Sequence, residues 1–496
     1  MKKIAYRLSG VLVLALLLAA CGPAAQPTLP PAPTQAPAQA PAAPTDAPSV
    51  LVPAVEAPGA QPAQSPLQPT PVAQVPAAQP AESPLQPTAA APVTLVVWDQ
   101  FYRDVESEVM DTLNKEFEAA HPGVTIERVV KTLDDLKVTL KQALSQDDGP
   151  DVAQVNQGRS DMGAMVQAGL LLPLNDYSAS FKWDERVSSS VASRNSFTAD
   201  GKTFGEGNLY GVSPTAEVVG VYYNKGIFEA NGWSVPTTFD EFVKLLEDAK
   251  AKGVTPISFG SLDGWNAIHE FSAVQHLLVT PEYINDLVYG VNDVSFDTPE
   301  NQEAAATMQE WVDKGYFSDG FSGIGYDDSN KLFKAGEGAM TITGSWLAGE
   351  LVGDTDQEFG FFLLPANAGQ TRMAIGGVGI PFAIRNTSAH ADLAAEYLDW
   401  MISPRAAQLW AEAGMLPAMP MPEGAMVEEG SLFADTVAAW NTINQENLVG
   451  HYIDWATPTF YDTLVSELGK VFGKVSDPAA FTAAVQKDYA AFLAGQ

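Results

Sequence analysis

Three dipeptides sit where short apolar runs end: Trp98-Asp99, Asn156-Gln157 and Ser345-Trp346. A fourth group, Asp263-Gly264-Trp265-Asn266, lies between a predicted strand and a predicted helix. Each joins a flat indole or a planar amide to a group that bonds hydroxyls. A polyhydroxylated ring offers an apolar C–H face and a rim of donors and acceptors. Indoles pack on the face, and carboxylates and amides pair with the rim. Trp346 is the strongest stacking candidate, because Gly344 precedes it directly after a strand; Trp98, Trp265 and Trp455 follow. Asp99, Asn156, Gln157, Arg159 and Ser345 supply the polar set. Asp151, after Gly149-Pro150, reads as a structural turn residue. Tyr222 and Tyr223 are neighbours on one strand and face opposite sides, so one can touch a ligand while the other packs.

Catalysis finds less support. A glycoside hydrolase needs two carboxylates flanking a bond, and none of the 60 acidic residues sits in a motif that singles it out. The five histidines (His121, His269, His276, His390, His451) are scattered, so no zinc centre is expected. There is no Gly-x-Ser-x-Gly elbow with a triad and no phosphate loop. No cofactor or metal is expected.

The elements that must position these groups alternate. Thr94–Trp98, Val124–Val130 and Asp151–Val155 read as strands, separated by helices over 104–120 and 133–144. Further strands are predicted at 220–224, 255–259, 339–343 and 376–384, and helices at 239–252, 300–314 and 328–335. From residue 389 the chain reads as mostly helical, at 389–402, 404–413, 431–446 and 458–472. This is an α/β pattern with parallel sheets, and ligands of such sheets gather at the carboxyl ends of strands.

The first 92 residues have another character. Lys2, Lys3 and Arg7 precede the apolar run Val11–Leu18, and Leu18-Ala19-Ala20-Cys21 follows, as in a secretory signal over 1–20. Cys21 is the only cysteine. Its setting resembles the lipobox of bacterial lipoproteins, which implies cleavage before Cys21 and lipid attachment there. Residues 22–92 are almost wholly Pro, Ala, Gln, Thr, Ser and Val with no aromatic residue, a composition that stays unfolded and acts as a semi-stiff tether. The formal net charge is −33, and only Asp46, Glu56 and Glu82 of the acids lie in the tether. The body is therefore strongly acidic, which argues against nucleic acid and against direct adhesion to an anionic membrane.

A series of motifs in the body resembles one family. Trp98-Asp99, His121-Pro122-Gly123-Val124, Asp148-Gly149-Pro150-Asp151-Val152, Asn156-Gln157-Gly158-Arg159 and Ala168-Gly169-Leu170-Leu171-Leu172-Pro173-Leu174 come in order. Gly220-Val221-Tyr222-Tyr223-Asn224-Lys225, Pro236-Thr237-Thr238-Phe239-Asp240-Glu241-Phe242 and Gly338-Ala339-Met340 before Gly344-Ser345-Trp346 complete the series. Together they resemble the extracellular solute-binding lipoproteins of ATP-driven sugar importers, the group that includes the maltose-binding protein. The resemblance implies a two-lobed periplasmic-binding-protein-like fold of type II with a multi-segment hinge. It places the first lobe at 93–218 plus about 378–447 and the second at 222–374 plus about 452–496. Crossings are expected near 218–223, 374–380 and 447–455. It implies a ligand-contacting carboxylate at Glu217, with Gly376 serving the hinge or a close approach to ligand. It further implies a monomer outside the cytoplasm, lipid-anchored to the cell membrane, that hands a carbohydrate to the transmembrane subunits of an ABC permease. A ferric ion or a polyamine is the rival ligand within that fold, and a secreted glycoside hydrolase is the rival of another class.

Overall fold

The computed structural model describes residues 92–353, 355–421 and 427–495. The signal segment, Cys21 and all but the last residue of the tether lie outside the described residues. Among the described residues no helix is long and apolar enough to cross a membrane.

The first sheet grows from β1 (Val93–Asp99), which pairs in parallel with β2 (Val124–Val130) and with β3 (Val152–Gln154). The crossover helix Asp104–Ala120 turns Val109, Met110, Leu113 and Phe117 inward. The helix Leu133–Leu144 buries Leu136, Leu140 and Leu144, and Thr132 caps it by accepting from the Asp135 N–H at 3.1 Å. That hydroxyl satisfies one of the amides the first turn leaves without a partner. A small ribbon follows, β4 (Ser196–Phe197) with β5 (Asn208–Leu209).

The second sheet is built on β6 (Ala216–Asn224), which pairs antiparallel with β7 (Met340–Gly344), β8 (Phe359–Phe362) and β9 (Ala374–Val378). β10 (Phe382–Ile384) returns to the first sheet, antiparallel to β3, and β11 (Val449–Gly450) lies parallel to β9. The expectation of parallel sheets therefore holds for β1, β2 and β3 but not for the core of the second sheet. Its central strand enters from the first lobe and so runs against its neighbours.

The predicted strand over 376–384 is two strands in two sheets. Val212 pairs with Phe382, while Ala216–Val218 pair with Val378–Gly376, so an antiparallel ribbon carries the chain from one sheet to the other. A third segment lies beside it: the Ala216 N–H donates to the Leu416 carbonyl at 2.8 Å, and Thr215 bridges to Pro417. The helix Leu432–Gln445 then buries Leu432, Ala439 and Ile443 with Phe359, Phe361 and Leu347 of the second lobe. The third crossing therefore comes before this helix, not at 447–455. The helix expected after Trp265, for which the sequence set no bounds, is Trp265–Leu278; the helices Pro281–Tyr289 and Pro478–Ala494 were not predicted. The first is buried on every side from Asn266 to Leu277, so it carries no one-sided apolar stripe to read.

Asp99 closes β1 on the buried face. Its carboxylate takes Arg128 Nε at 2.7 Å and Nη2 at 2.8 Å, and accepts the Phe101 N–H at 3.0 Å. Removing one partner of a buried pair leaves a charge without an answer, at a cost of about 3–5 kcal/mol. Asp99→Ala is expected to lower unfolding free energy in urea by that order while the folded fraction keeps its ligand affinity. An unchanged urea midpoint would contradict this account of β1.

Candidate ligand-binding cleft

The cleft between the lobes holds a cavity of about 250 Å³. Its second-lobe wall is aromatic. β7 ends at Gly344, and the chain turns so that the Trp346 ring folds back over that glycine. A Cβ on residue 344 would sit 1.9 Å from Trp346 Cζ3, so the Gly344 to Trp346 spacing is a steric requirement. The indole Nε1 donates to Tyr326 Oη at 2.7 Å, and Tyr326 Oη shares a bond of 2.8 Å with Thr343 Oγ1. This chain fixes the edge of the ring and leaves its face for a ligand. Trp265 opens the buried helix after Gly264, which has φ +81°. Its ring lies 4.5 Å from Tyr326 and 6.5 Å from Trp346, centroid to centroid. His269 continues the wall at 5.8 Å from Trp346 and 5.5 Å from Tyr452, and Tyr452 meets Trp455 at 5.1 Å.

The first lobe supplies polar groups from the ends of its strands. After β1, Tyr102 Oη donates to Asp327 Oδ2 at 2.8 Å, and Arg103 Nη2 reaches Tyr102 Oη at 2.9 Å and Asp327 Oδ1 at 3.3 Å. These bonds join the two lobes at one rim. After β2, Thr132, Asp134 and Lys137 line the cavity from the start of their helix. After β3, Asn156 Nδ2 donates to Asp161 Oδ2 at 2.8 Å, and Gln157 Nε2 donates to the Val378 and Gly379 carbonyls at 3.1 Å each. Glu217 enters from the hinge ribbon.

Burial sets the charge state of this lining. It pushes the Glu217 carboxyl up to about 7, against the pull of the Tyr452 hydroxyl and the Arg194 guanidinium. Glu106 is likewise raised to about 7 by burial, with Arg103 opposing and Glu350 adding to the rise. Burial raises Asp454 to about 6 and holds His269 neutral by lowering it to about 3. Asp134 is raised by burial and by the negative Asp263 of the other lobe.

Asn156, Gln157, Glu217, Trp265, Trp346 and Trp455, all predicted as site residues, line this one cavity. The other six do not. Trp98 lies on the opposite face of β1 from the buried Leu95, Val97 and Asp99, and Lys131 Nζ sits 4.4 Å over its ring. Asp99 is consumed by Arg128. Arg159 is buried and donates to the Val288, Ala456 and Tyr289 carbonyls, so it ties the first lobe to the second behind the cleft. Tyr222 is buried with its hydroxyl on the Gly344 carbonyl at 3.1 Å, while Tyr223 packs 4.6 Å from the Phe228 ring. Ser345 Oγ accepts the Val218 N–H at 3.2 Å and secures the hinge. Gly376 serves packing, since a Cβ there would lie 2.7 Å from the Glu217 carbonyl. Tyr102, Arg103, Asp134, Lys137, Tyr326 and Tyr452 were missed. The strand-end rule, applied to β2 and to the residues just past Asp99, points to the first four.

The family model for bacterial extracellular solute-binding proteins matches residues 112–429. The chain belongs to that family. It is 26% identical over 325 residues to a "multiple sugar-binding protein" of Streptococcus mutans, covering 62% of this chain and 71% of that one. It is 24% identical over 250 residues to an ABC transporter extracellular-binding protein of Pyrococcus horikoshii, covering 49% of this chain and only about half (54%) of that relative. A solved chitin oligosaccharide binding protein superposes with a TM-score of 0.69 at 22% identity, over 81% of this chain and 99% of that one. That likeness establishes the two-lobed fold.

If Gly344 exists to seat the Trp346 ring, Gly344→Ala must displace the indole. Near-UV circular dichroism should change and stability should fall by about 1–3 kcal/mol, the usual cost of overpacking. A near-UV spectrum identical to the parent's would show that the ring does not depend on this glycine.

Proposed function

We propose that the protein captures a sugar or oligosaccharide in the interlobe cleft and delivers it to the transmembrane subunits of an ABC permease. The aromatic wall of Trp265, Tyr326 and Trp346, facing amides and carboxylates of the other lobe, carries this reading. A pyranose ring lays its C–H face on the indoles and turns its hydroxyls to Asn156, Gln157 and Glu217. The sugar-binding relative and the chitin oligosaccharide binding protein support the same chemistry. The lobes open and close about the hinge, and ligand shifts the population toward the closed form by touching both. The chain acts as a monomeric receptor and not as an enzyme. Lipid on Cys21 would hold it outside the cytoplasm on the cell membrane, with residues 22–92 as spacer and the lobes as described above in place of the 378–447 boundary. The ferric-ion reading loses its ligands, because Tyr222 is buried against the second sheet and Tyr223 packs elsewhere.

Tryptophan fluorescence titrated against a panel of mono- and oligosaccharides tests the reading. Trp346→Ala should weaken the best ligand by more than about thirtyfold, or ~2 kcal/mol. If no sugar shifts fluorescence or melting temperature while a ferric salt or spermidine does, the carbohydrate reading fails. Release of reducing sugar from a glycan panel would favour a hydrolase. Cys21→Ala should move the protein from the membrane fraction to the soluble one.

The raised carboxyls give affinity a pH dependence. Glu217, held at about 7, is a carboxylate above that pH and a neutral acid below it. Hydroxyls donate more strongly to the charged form. Affinity should therefore fall as pH drops from about 8 to about 6, and Glu217→Gln should flatten part of that fall. A pH-independent affinity in the parent protein would contradict this assignment.

A further inference from the structure

We propose that the ligand of this cleft is an amino sugar, and that Asp454 receives its protonated amine. The inference rests on the carbohydrate reading and narrows it.

The lining is unbalanced in charge. Glu106, Asp134, Glu217, Asp263, Asp327 and Asp454 face the cavity against two cations, Arg103 and Lys137. Both cations are engaged. Arg103 is shared among Glu106 at 3.6 Å, Asp327 at 3.3 Å and Glu350 at 2.5 Å. Lys137 lies 3.6 Å from Asp161, with its ammonium 3.1 Å over the Tyr461 ring. Neither makes an ion pair with Asp454, although Lys137 pulls on its charge from beyond contact distance, against the rise that burial imposes.

Asp454 sits in the turn Ile453–Trp455 at the inner end of the aromatic wall, 9% exposed and facing the cavity. Its side chain makes no hydrogen bond or ion pair among the described residues. A buried carboxylate without a partner is costly, and such groups are kept where something fills the place. Tyr452, Trp455 and Tyr461 line the cavity around it, and aromatic faces also attract an ammonium. The mouth adds to the demand. Asp134 of the first lobe and Asp263 of the second repel each other, so closing the lobes over a neutral guest brings like charges together. An ammonium between the lobes removes that opposition. A neutral hydroxyl satisfies one lone pair of Asp454 and leaves the charge excess as it was. The indoles still require a flat ring, and a hexosamine supplies both ring and amine.

Three β-1,4 disaccharides that differ only at C2 test this: cellobiose, N,N′-diacetylchitobiose and the free-amine glucosamine dimer. Galactosamine, mannosamine and spermidine complete the panel. Calorimetry runs at about pH 6.5, below the roughly 7.7–8.0 of an α-amine, so the sugar amine is protonated. The free amine should bind at least about tenfold tighter than its hydroxyl and acetamide counterparts, an advantage that shrinks with salt. Asp454→Asn should abolish that preference by weakening the free amine at least about tenfold more than cellobiose, with Asp263→Asn reducing it in part. Circular dichroism checks that both variants fold. Equal or tighter binding of the neutral or acetylated dimer overturns the proposal and leaves the carbohydrate reading standing. So does equal weakening of all three by Asp454→Asn. Binding of spermidine with no sugar bound overturns both, as does a panel in which nothing binds. A preference that appears only with added calcium assigns the carboxylates to a metal and also overturns the proposal.

Discussion

The whole arrangement hangs on the antiparallel ribbon that passes between the sheets. Backbone pairing from Val212–Phe382 through Val218–Gly376 joins the two sheets, with the Thr215–Pro417 bridge beside it, and at Gly376 and Gly377 it has to run without side chains in its path. The glycines follow from this. Gly377 adopts φ +142°, and a Cβ there would lie 2.4 Å from an Arg194 nitrogen, because the Arg194 guanidinium fills that space to donate to the Gly376 carbonyl at 2.7 Å. The same pairing brings Glu217 and Gly379 to the floor of the cleft. Hinge and binding floor are one segment, so a ligand on Glu217 acts directly on the element about which the lobes move.

The cleft spends little of its polar chemistry on holding itself together. Tyr326 orients Trp346, Asp161 holds Asn156, and two hinge carbonyls hold Gln157, each through bonds at the edge of the group. The faces and the second oxygens stay available. Burial raises Glu217 to about 7 and Asp454 to about 6, so near neutral pH Glu217 is partly protonated while Asp454 is mostly a carboxylate.

Legibility from sequence followed the range of the forces. Trp346 could be read because its determinant is local: a strand, a glycine two residues earlier, and the turn between them. Asn156 and Gln157 were found by the same strand-end logic. Trp98 obeyed that logic and still missed, because alternation along β1 decides only that Trp98 and Asp99 part company, and the partner that claims Asp99 is Arg128 on another strand. Arg159 looked like a ligand contact by type, yet its three acceptors lie 129 to 297 residues away. Tyr102 and Asp327, 225 residues apart, became neighbours only through lobe closure. The fold class survived such errors, since it rests on many short periodicities. The helix Trp265–Leu278 was expected after Trp265 but its extent went unread, because burial on all sides erases the stripe on which such readings depend.

The two sets of interlobe contacts differ in kind, and the difference gives the cleft a direction. Behind it, the buried Arg159 bonds three carbonyls, the Phe204 ring meets Tyr289 at a tilt with centroids 5.3 Å apart, and Gly158 lies against Trp455 so closely that a Cβ would come within 2.7 Å. At the rim, Tyr102 and Arg103 meet Asp327, whose side chain is 41% exposed. Exposed pairs contribute about 0–1 kcal/mol, whereas breaking a buried, hydrogen-bonded cation contact costs several times more. Water can take over the contacts of the exposed Asp327 carboxylate more readily than those of Arg159. Separation of the lobes is therefore easiest at the Asp327 rim, and the buried contacts behind the cleft act as its pivot. A ligand that bridges Glu217 and Trp346 only has to supply what the rim bonds alone do not.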